Sequence, residues 1–341
     1  MKISDFDYDL PAELIAQCPS FRRDESRLMV VEKKTARIEH YRFADLPSLI
    51  LPQDLLVLND TRVFPARLQA VKESTGARLE VLLLRRREGD LWEALVKPGR
   101  RVRSGTRLIF ESGKLEAELM DEAASAKRLL RFEYTGDFWS WIERLGEVPL
   151  PPYIERRPGQ GLPEDRDRYQ TVFAHARGSV AAPTAGLHFT PNLLTRLRYC
   201  RLTLHVGYGT FKPIASEKVE QHQMEAEEYE ISEETAARIR EQMETGGRVI
   251  AVGTTSTRVL EHLMLKKGRI VPGNGWTDLF IYPGFHFKAV QGLITNFHLP
   301  RSTLLLLISA FAGRELIEKC YREAIRHRYR FYSYGDAMLV L

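Results

Sequence analysis

From Leu193 to the C-terminus, short apolar runs alternate with amphipathic ones, and this alternation confines the chain to the α/β class. Leu193–Tyr199 reads as a helix, and Arg201–Val206 and Glu228–Ile231 as strands. Ser232 then caps a helix with Glu233 and Glu234 in its first turn, closed by Gly246-Gly247. Arg248–Val252 is a buried strand, Thr257–Lys267 a helix, and Leu279–Tyr282 and Leu293–Thr295 are strands. Helices Ser302–Ala312 and Arg314–Arg326 follow, and Asp336–Leu341 closes as a strand. The N-terminal part adds a short helix at Asp9–Ala16, strands at Arg27–Val31 and Arg37–Tyr41, and a compact apolar strand at Leu55–Leu58.

The middle of the chain has a different period. Arg78–Leu84, Leu91–Val96, Arg107–Phe110, Lys114–Leu119 and Arg128–Tyr134 are short strand-like runs between Gly, Ser and Asp turns, the spacing of a small sandwich or barrel. The expected architecture is therefore a mixed-sheet α/β domain built from residues 1–63 and 146–341. A small antiparallel β-barrel-like domain, 64–145, is inserted in it. Phe138–Leu145 reads as a short helix and Glu164–Ala174 as another. Between them, the prolines of Gly146–Ile154 favour an extended segment, either a linker or the wall of a cleft.

Composition narrows the function classes. The net charge is +5, but arginines cluster at 85–87, 100–103, 156–157 and 326–330. A single run is ordinarily a solvated face, whereas several favour a polyanionic partner such as nucleic acid. Cys18, Cys200 and Cys320 are far apart and no His/Cys group has zinc spacing, so no metal site is expected. The acidic start, Met1 to Asp7, does not resemble a signal peptide, and the longest apolar run, Leu304–Phe311, is too short to span a bilayer. The expectation is a cytoplasmic protein with reduced thiols.

Several strand-end loops are short, rich in Gly, Pro and Thr, and tipped with Asn, Asp or His. Ligands of α/β folds gather at such ends. Val180–Thr190 is the longest: Pro183, Thr184, Gly186 and His188 lie in it, and Thr190-Pro191 looks like an N-cap and first-turn proline that pin its far end. A buried crossover with a hydrogen-bonded histidine explains the same residues equally well. Asn59-Asp60-Thr61-Arg62 ends a buried strand, though a plain Asx-turn also accounts for it. His205 leads into the turn of Gly207, Gly209 and Thr210. Gly253-Thr254-Thr255-Ser256 with Arg258 links a strand to a helix, a natural cradle for a phosphate, carboxylate or ribose hydroxyl. Neither a phosphate-loop lysine nor a G-x-G-x-x-G fingerprint occurs. Tyr282-Pro283-Gly284 and Asn296-Phe297-His298 complete the set.

Taken together, 59–68, 180–190, 253–258, 277–284, 295–307 and Phe331-Tyr332-Ser333-Tyr334-Gly335-Asp336-Ala337-Met338 resemble the S-adenosylmethionine:tRNA ribosyltransferase-isomerases of queuosine biosynthesis. The resemblance runs in order through the whole chain. One element departs from it: where the family commonly has His-x-Met-His-x-Glu, this chain has His222-Gln223-Met224-Glu225-Ala226-Glu227, so the second histidine is Glu225.

The resemblance implies transfer and isomerisation of the ribosyl group of S-adenosylmethionine onto 7-aminomethyl-7-deazaguanine at the tRNA wobble position. Epoxyqueuosine, adenine and methionine would be the products. S-adenosylmethionine would be a consumed substrate, with no metal or redox cofactor, no membrane partner and a monomeric protein. His188 and His298 are the candidate acid and base because each tips a loop and ordinarily titrates near neutrality. Asp60 would pair with the sulfonium or orient a histidine. Thr254, Thr255, Ser256 and Arg258 would hold the methionine carboxylate or ribose hydroxyls. Tyr282 and Phe297 would stack on a base, although core packing is the commoner fate of such a phenylalanine. Asn59, Arg62, Pro183, Thr184, Gly186, His205, Gly209, Thr210, His222, Gly253 and Asn296 would line the substrate site. A non-catalytic RNA-binding protein and an ordinary methyltransferase remain the competing readings.

Overall fold

A computed structural model describes residues 1–121, 127–156, 164–211, 214 and 216–341. Its strands are β1 (Arg27–Glu32), β2 (Arg37–Arg42), β3 (Leu55–Asn59), β4 (Thr61–Val63), β5 (Arg67–Lys72), β6 (Arg78–Arg86), β7 (Leu91–Lys97), β8 (Arg107–Phe110), β9 (Leu115–Asp121), β10 (Lys127–Tyr134), β11 (Ala176–Ser179), β12 (Tyr199–Leu204), β13 (Glu227–Ile231), β14 (Val249–Val252), β15 (Gly273–Thr277), β16 (Gly292–Asn296) and β17 (Ala337–Val340). The helices are α1 (Leu46–Leu49), α2 (Phe138–Leu145), α3 (Asp165–Arg168), α4 (Pro191–Leu194), α5 (Glu233–Glu244), α6 (Gly253–Lys267), α7 (Thr303–Ala312) and α8 (Arg314–Arg326).

Nine strands form one mixed sheet in the order β15-β13-β12-β3-β14-β16-β17-β1-β2. The centre, β12-β3-β14-β16, is parallel. Every residue of β3, β14 and β16 is buried, as expected of strands covered on both faces. From β3 the chain steps outward to β12 on one side and to β14 and β16 on the other. This reversal leaves a crevice beyond the carboxyl ends of β3 and β14. At the opposite ends of the same two strands, Arg248 grips buried Asp54 through Nε at 2.9 Å and Nη2 at 2.5 Å.

Strands β5 to β10 close into a separate antiparallel barrel in the order β10-β7-β6-β5-β8-β9. Alternating residues such as Leu79, Val81, Trp92, Ala94, Leu108 and Phe132 fill it, and α2 stacks Phe138 on Trp92 at 5.2 Å. The mixed sheet and the closed barrel agree with the expected fold class.

Several expected elements differ. The run Asp9–Ala16 yields only a 3₁₀ turn, Ala12–Leu14. The helix expected over Glu164–Ala174 is confined to α3, after which Tyr169 and Phe173 are pulled into buried clusters. The helix expected at Leu193–Tyr199 ends after one turn, and Tyr199 opens β12. Leu279–Tyr282 is irregular, because β13 pairs instead with Gly273–Thr277. In each case a tertiary partner outweighs local propensity.

The junction leaving α2 is tight. A Cβ at Gly146 would stand 1.9 Å from the Pro65 carbonyl oxygen and 2.6 Å from that of Ile142. Backbone cannot yield there as a flexible side chain would, so Gly146→Ala is expected to cost about 3 kcal/mol. A lowered urea midpoint at unchanged slope would register it.

Candidate active site

The loops after β12, β14 and β16 meet the Val180–Thr190 loop and the Phe331–Met338 segment around one cleft at the strand-order reversal. Its cavity volume is about 90 Å³. Pro183, Thr184, Thr210, Gly253, Thr254, Thr255, Asn296 and His298 all line it, together with Tyr153, Tyr169, Tyr332 and Ser333. Among the described residues no Asp, Glu, Lys or Arg reaches the lining.

Backbone hydrogen bonds fix the walls. The amides of Val180 and Ala181 both donate to the Val206 carbonyl, at 3.0 and 3.3 Å, and tie the long loop to the end of β12. Gly253 opens α6 with φ +89, and a Cβ there would lie 3.7 Å from that of Ala185, so loop and helix start nearly touch. No side chain caps α6. Its first-turn amides and the positive end of a 15-residue helix therefore border the cleft. Tyr332 has φ +70, a strained conformation for a bulky residue. Its carbonyl accepts from Asn296 Nδ2 at 3.1 Å, and its ring lies 4.6 Å from that of Tyr153. Tyr153, from the proline-rich segment, thus forms a cleft wall.

Four buried polar atoms of lining residues have no hydrogen-bond partner: Tyr169 OH, Thr255 Oγ1, Asn296 Oδ1 and Tyr332 OH. A buried polar atom left unpaired is costly. Four on one cleft make it the candidate ligand site.

Neither candidate histidine titrates near neutrality. His188 is buried behind Asn296, outside the cleft lining. Its Nδ1–H donates to Ser26 Oγ at 2.7 Å, that hydroxyl donates to the Arg23 carbonyl, and Nε2 accepts from Asn296 Nδ2 at 3.1 Å. Burial pushes its pKa down to about 4. The second candidate, His298, does line the cleft. Thr295 Oγ1 and His298 Nε2 share a hydrogen bond at 2.6 Å, and the backbone amide of His298 donates to Tyr321 OH at 2.9 Å. Burial lowers the His298 pKa to about 3. Both imidazoles are neutral at pH 7, which corrects the expectation that they work as a neutral-pH acid and base pair.

Other expected site residues serve the scaffold. Asn59 is fully committed: Oδ1 accepts from the amides of Thr61 and Leu204, and Nδ2 donates to the Leu204 carbonyl. Asp60 accepts from Thr203 Oγ1 at 2.7 Å, away from the cleft, and Arg62 is exposed on β4. His205 Nδ1 bonds Thr61 Oγ1 at 2.8 Å, and its ring covers Gly178. Gly186 is a packing glycine, since a Cβ there would meet Phe173 and Thr171 at 2.8 Å. Ser256 donates back to the Val252 carbonyl. Arg258 spends its guanidinium on buried Glu227 and on the carbonyls of Leu279 and Thr277. Tyr282 packs on Phe280, as does His222, and Phe297 is core among Tyr321, Tyr329 and Phe331. Gly209 lies against Glu225, which pairs with Lys127 of the barrel at 2.9 Å. Thr190 does cap α4, but that helix is only four residues long and offers no anion site. Many of the clustered arginines are also paired: Arg85 and Arg87 with Glu93, Arg86 with Asp90, Arg156 with Asp165. Arg157 lies outside the described residues.

The fold and cleft define an α/β protein with a candidate ligand site at the carboxyl edge of a parallel sheet centre. A family model described as "Queuosine biosynthesis protein" matches residues 3–340, and the chain belongs to that family. It is 53% identical to the S-adenosylmethionine:tRNA ribosyltransferase-isomerase of Halothermothrix orenii, over 100% of both chains. It is also similar to the crystal structure of the S-adenosylmethionine tRNA ribosyltransferase of Thermotoga maritima, with 40% identity, a TM-score of 0.56, and coverage of 99% of this chain and 100% of that one. The chain is accordingly a transferase. Among the described residues no helix is long and apolar enough to cross a membrane.

Stability should follow the two histidine protonation states. Folded pKa values near 4 and 3 lie below the ordinary 6.5, so the unfolded chain binds protons first. Stability is full above pH 6.5 and falls as pH drops toward 4, by up to about 1.4 kcal/mol per pH unit per group. Urea unfolding at pH 7 and pH 5 should show the loss, with a smaller loss in His298→Gln.

Proposed function

We propose that this chain transfers and isomerises the ribosyl group of S-adenosylmethionine onto 7-aminomethyl-7-deazaguanine at the wobble position of a tRNA. The products are epoxyqueuosine-tRNA, adenine and methionine. The observation that carries this reading is the cleft beside the start of α6, whose described lining has no charged side chain and four unpaired polar atoms, in a chain of the queuosine family.

The methionine carboxylate sits at the uncapped start of α6, where the amides of Gly253, Thr254 and Thr255 and the helix dipole favour an anion. Thr255 Oγ1, Asn296 Oδ1 and Tyr332 OH take up the ribose hydroxyls and the amino group. The sulfonium finds no carboxylate in the described lining, and the faces of Tyr153 and Tyr332 offer it a cation–π surface instead. His298 presents Nδ1–H as a neutral donor to the departing adenine, held by Thr295. His188 acts through Asn296, fixing that amide so that Oδ1 faces the substrate. S-adenosylmethionine is consumed, and no metal enters these steps.

Incubation with S-adenosylmethionine and tRNA carrying 7-aminomethyl-7-deazaguanine, followed by nucleoside mass spectrometry, should yield epoxyqueuosine with free adenine and methionine. An unchanged nucleoside, or a methylated one, would overturn the reading. Thr255→Val and Tyr332→Phe should each lower kcat/KM about tenfold, the loss of about 1.4 kcal/mol of transition-state stabilisation. Because Thr255→Val removes an unpaired buried oxygen, its melting temperature should equal or exceed that of the wild type, which separates lost binding from lost folding.

A further inference from the structure

Outside the cleft lining, β2 and the end of α8 bring three potential ligands together. His40 lies on β2, the edge strand of the large sheet. Glu323 and His327 are one turn apart, at the last turn and C-cap of α8. The sequence separates His40 from the other two by most of the chain, so no local spacing announces the group. The ligand atoms of all three lie within 4.8 Å of one another. His327 Nε2 is 2.9 Å from Glu323 Oε1, and His40 Nε2 is 3.7 Å from that same oxygen. Tetrahedral zinc, with bonds of about 2.0–2.1 Å, holds neighbouring ligand atoms about 3.4 Å apart. Small side-chain rotations therefore suffice.

We propose that His40, Glu323 and His327 form a binding site for a divalent transition-metal ion, best fitted to zinc, with solvent completing its coordination. Two imidazoles and one carboxylate suit zinc by ligand type. The surrounding contacts orient the donors. His40 Nδ1 shares a hydrogen bond with Tyr329 OH at 2.7 Å, which fixes the ring with Nε2 turned toward Glu323. Tyr329 is itself fixed under the Arg27 guanidinium, 4.2 Å from its ring centre. The two imidazole rings stand 4.7 Å apart, which brings both side chains to the same side of Glu323. Arg326 lies 4.0 Å from the other carboxylate oxygen, Oε2, and leaves Oε1 to the metal.

Such an ion would join the sheet edge to the point where α8 passes into the segment that carries Tyr332 to the cleft. It would act as a clamp on that segment and take no part in the chemistry, whichever substrate the cleft accepts.

Isothermal titration of the chelator-treated protein with Zn²⁺ tests the site. One equivalent should bind with micromolar affinity or better, and His40→Ala and His327→Ala should each weaken it at least tenfold while keeping the wild-type circular dichroism. Co²⁺ should give visible bands of a tetrahedral nitrogen and oxygen site without thiolate charge transfer, which separates it from exposed Cys18. Zn²⁺ should raise the melting temperature of the wild type and leave that of His327→Ala unchanged. Absence of binding, binding indifferent to both substitutions, or a thiolate band would overturn the proposal.

Discussion

The structure depends on the reversal of strand order at β3. Because the chain leaves β3 toward β12 on one side and returns through β14 and β16 on the other, the loops at the carboxyl ends diverge and cannot cover one another. The resulting crevice is where the Val180–Thr190 loop, the start of α6 and the Asn296–His298 turn converge. Each arrives from a different part of the sequence, and each contributes mainly backbone and small polar groups.

Around that crevice the protein keeps charge at a distance. Arg258 and Glu227 neutralise each other in a buried pair, and the same guanidinium draws the irregular 277–279 segment against α6. Asp336 is held by the Arg27 amide and guanidinium and by the Arg330 amide, and so shapes the loop that carries Tyr332. Charged side chains build the frame, while the described lining of the cleft is left with hydroxyls, an amide, a neutral imidazole and tyrosine rings.

How much of this was legible in the sequence varies by element. Barrel strands β6 to β10, α2, α5 and α8 were readable because their apolar period matches the faces they bury, whereas β5 was not among the expected strands. Thr254, Thr255, Asn296 and His298 were readable as strand-end polar residues of an α/β fold. Arg258, Asn59 and His205 have the same appearance in sequence, yet their hydrogen-bonding groups are consumed by Glu227, Leu204 and Thr61. Tyr332 gave no local sign of lining a cleft, since it owes its position to a positive φ, whereas for Tyr153 the cleft-wall alternative of the proline-rich stretch is the one realised.

The sequence by itself determined the α/β class, the inserted β region, the family and the set of loops from which a site would be drawn, because these follow from periodicity, turn residues and long motifs. Only the tertiary structure decided which polar atoms remain unpaired, that both candidate histidines are neutral, and that His40 meets Glu323 and His327. Those properties depend on burial and on partners from distant parts of the chain, which local sequence does not encode.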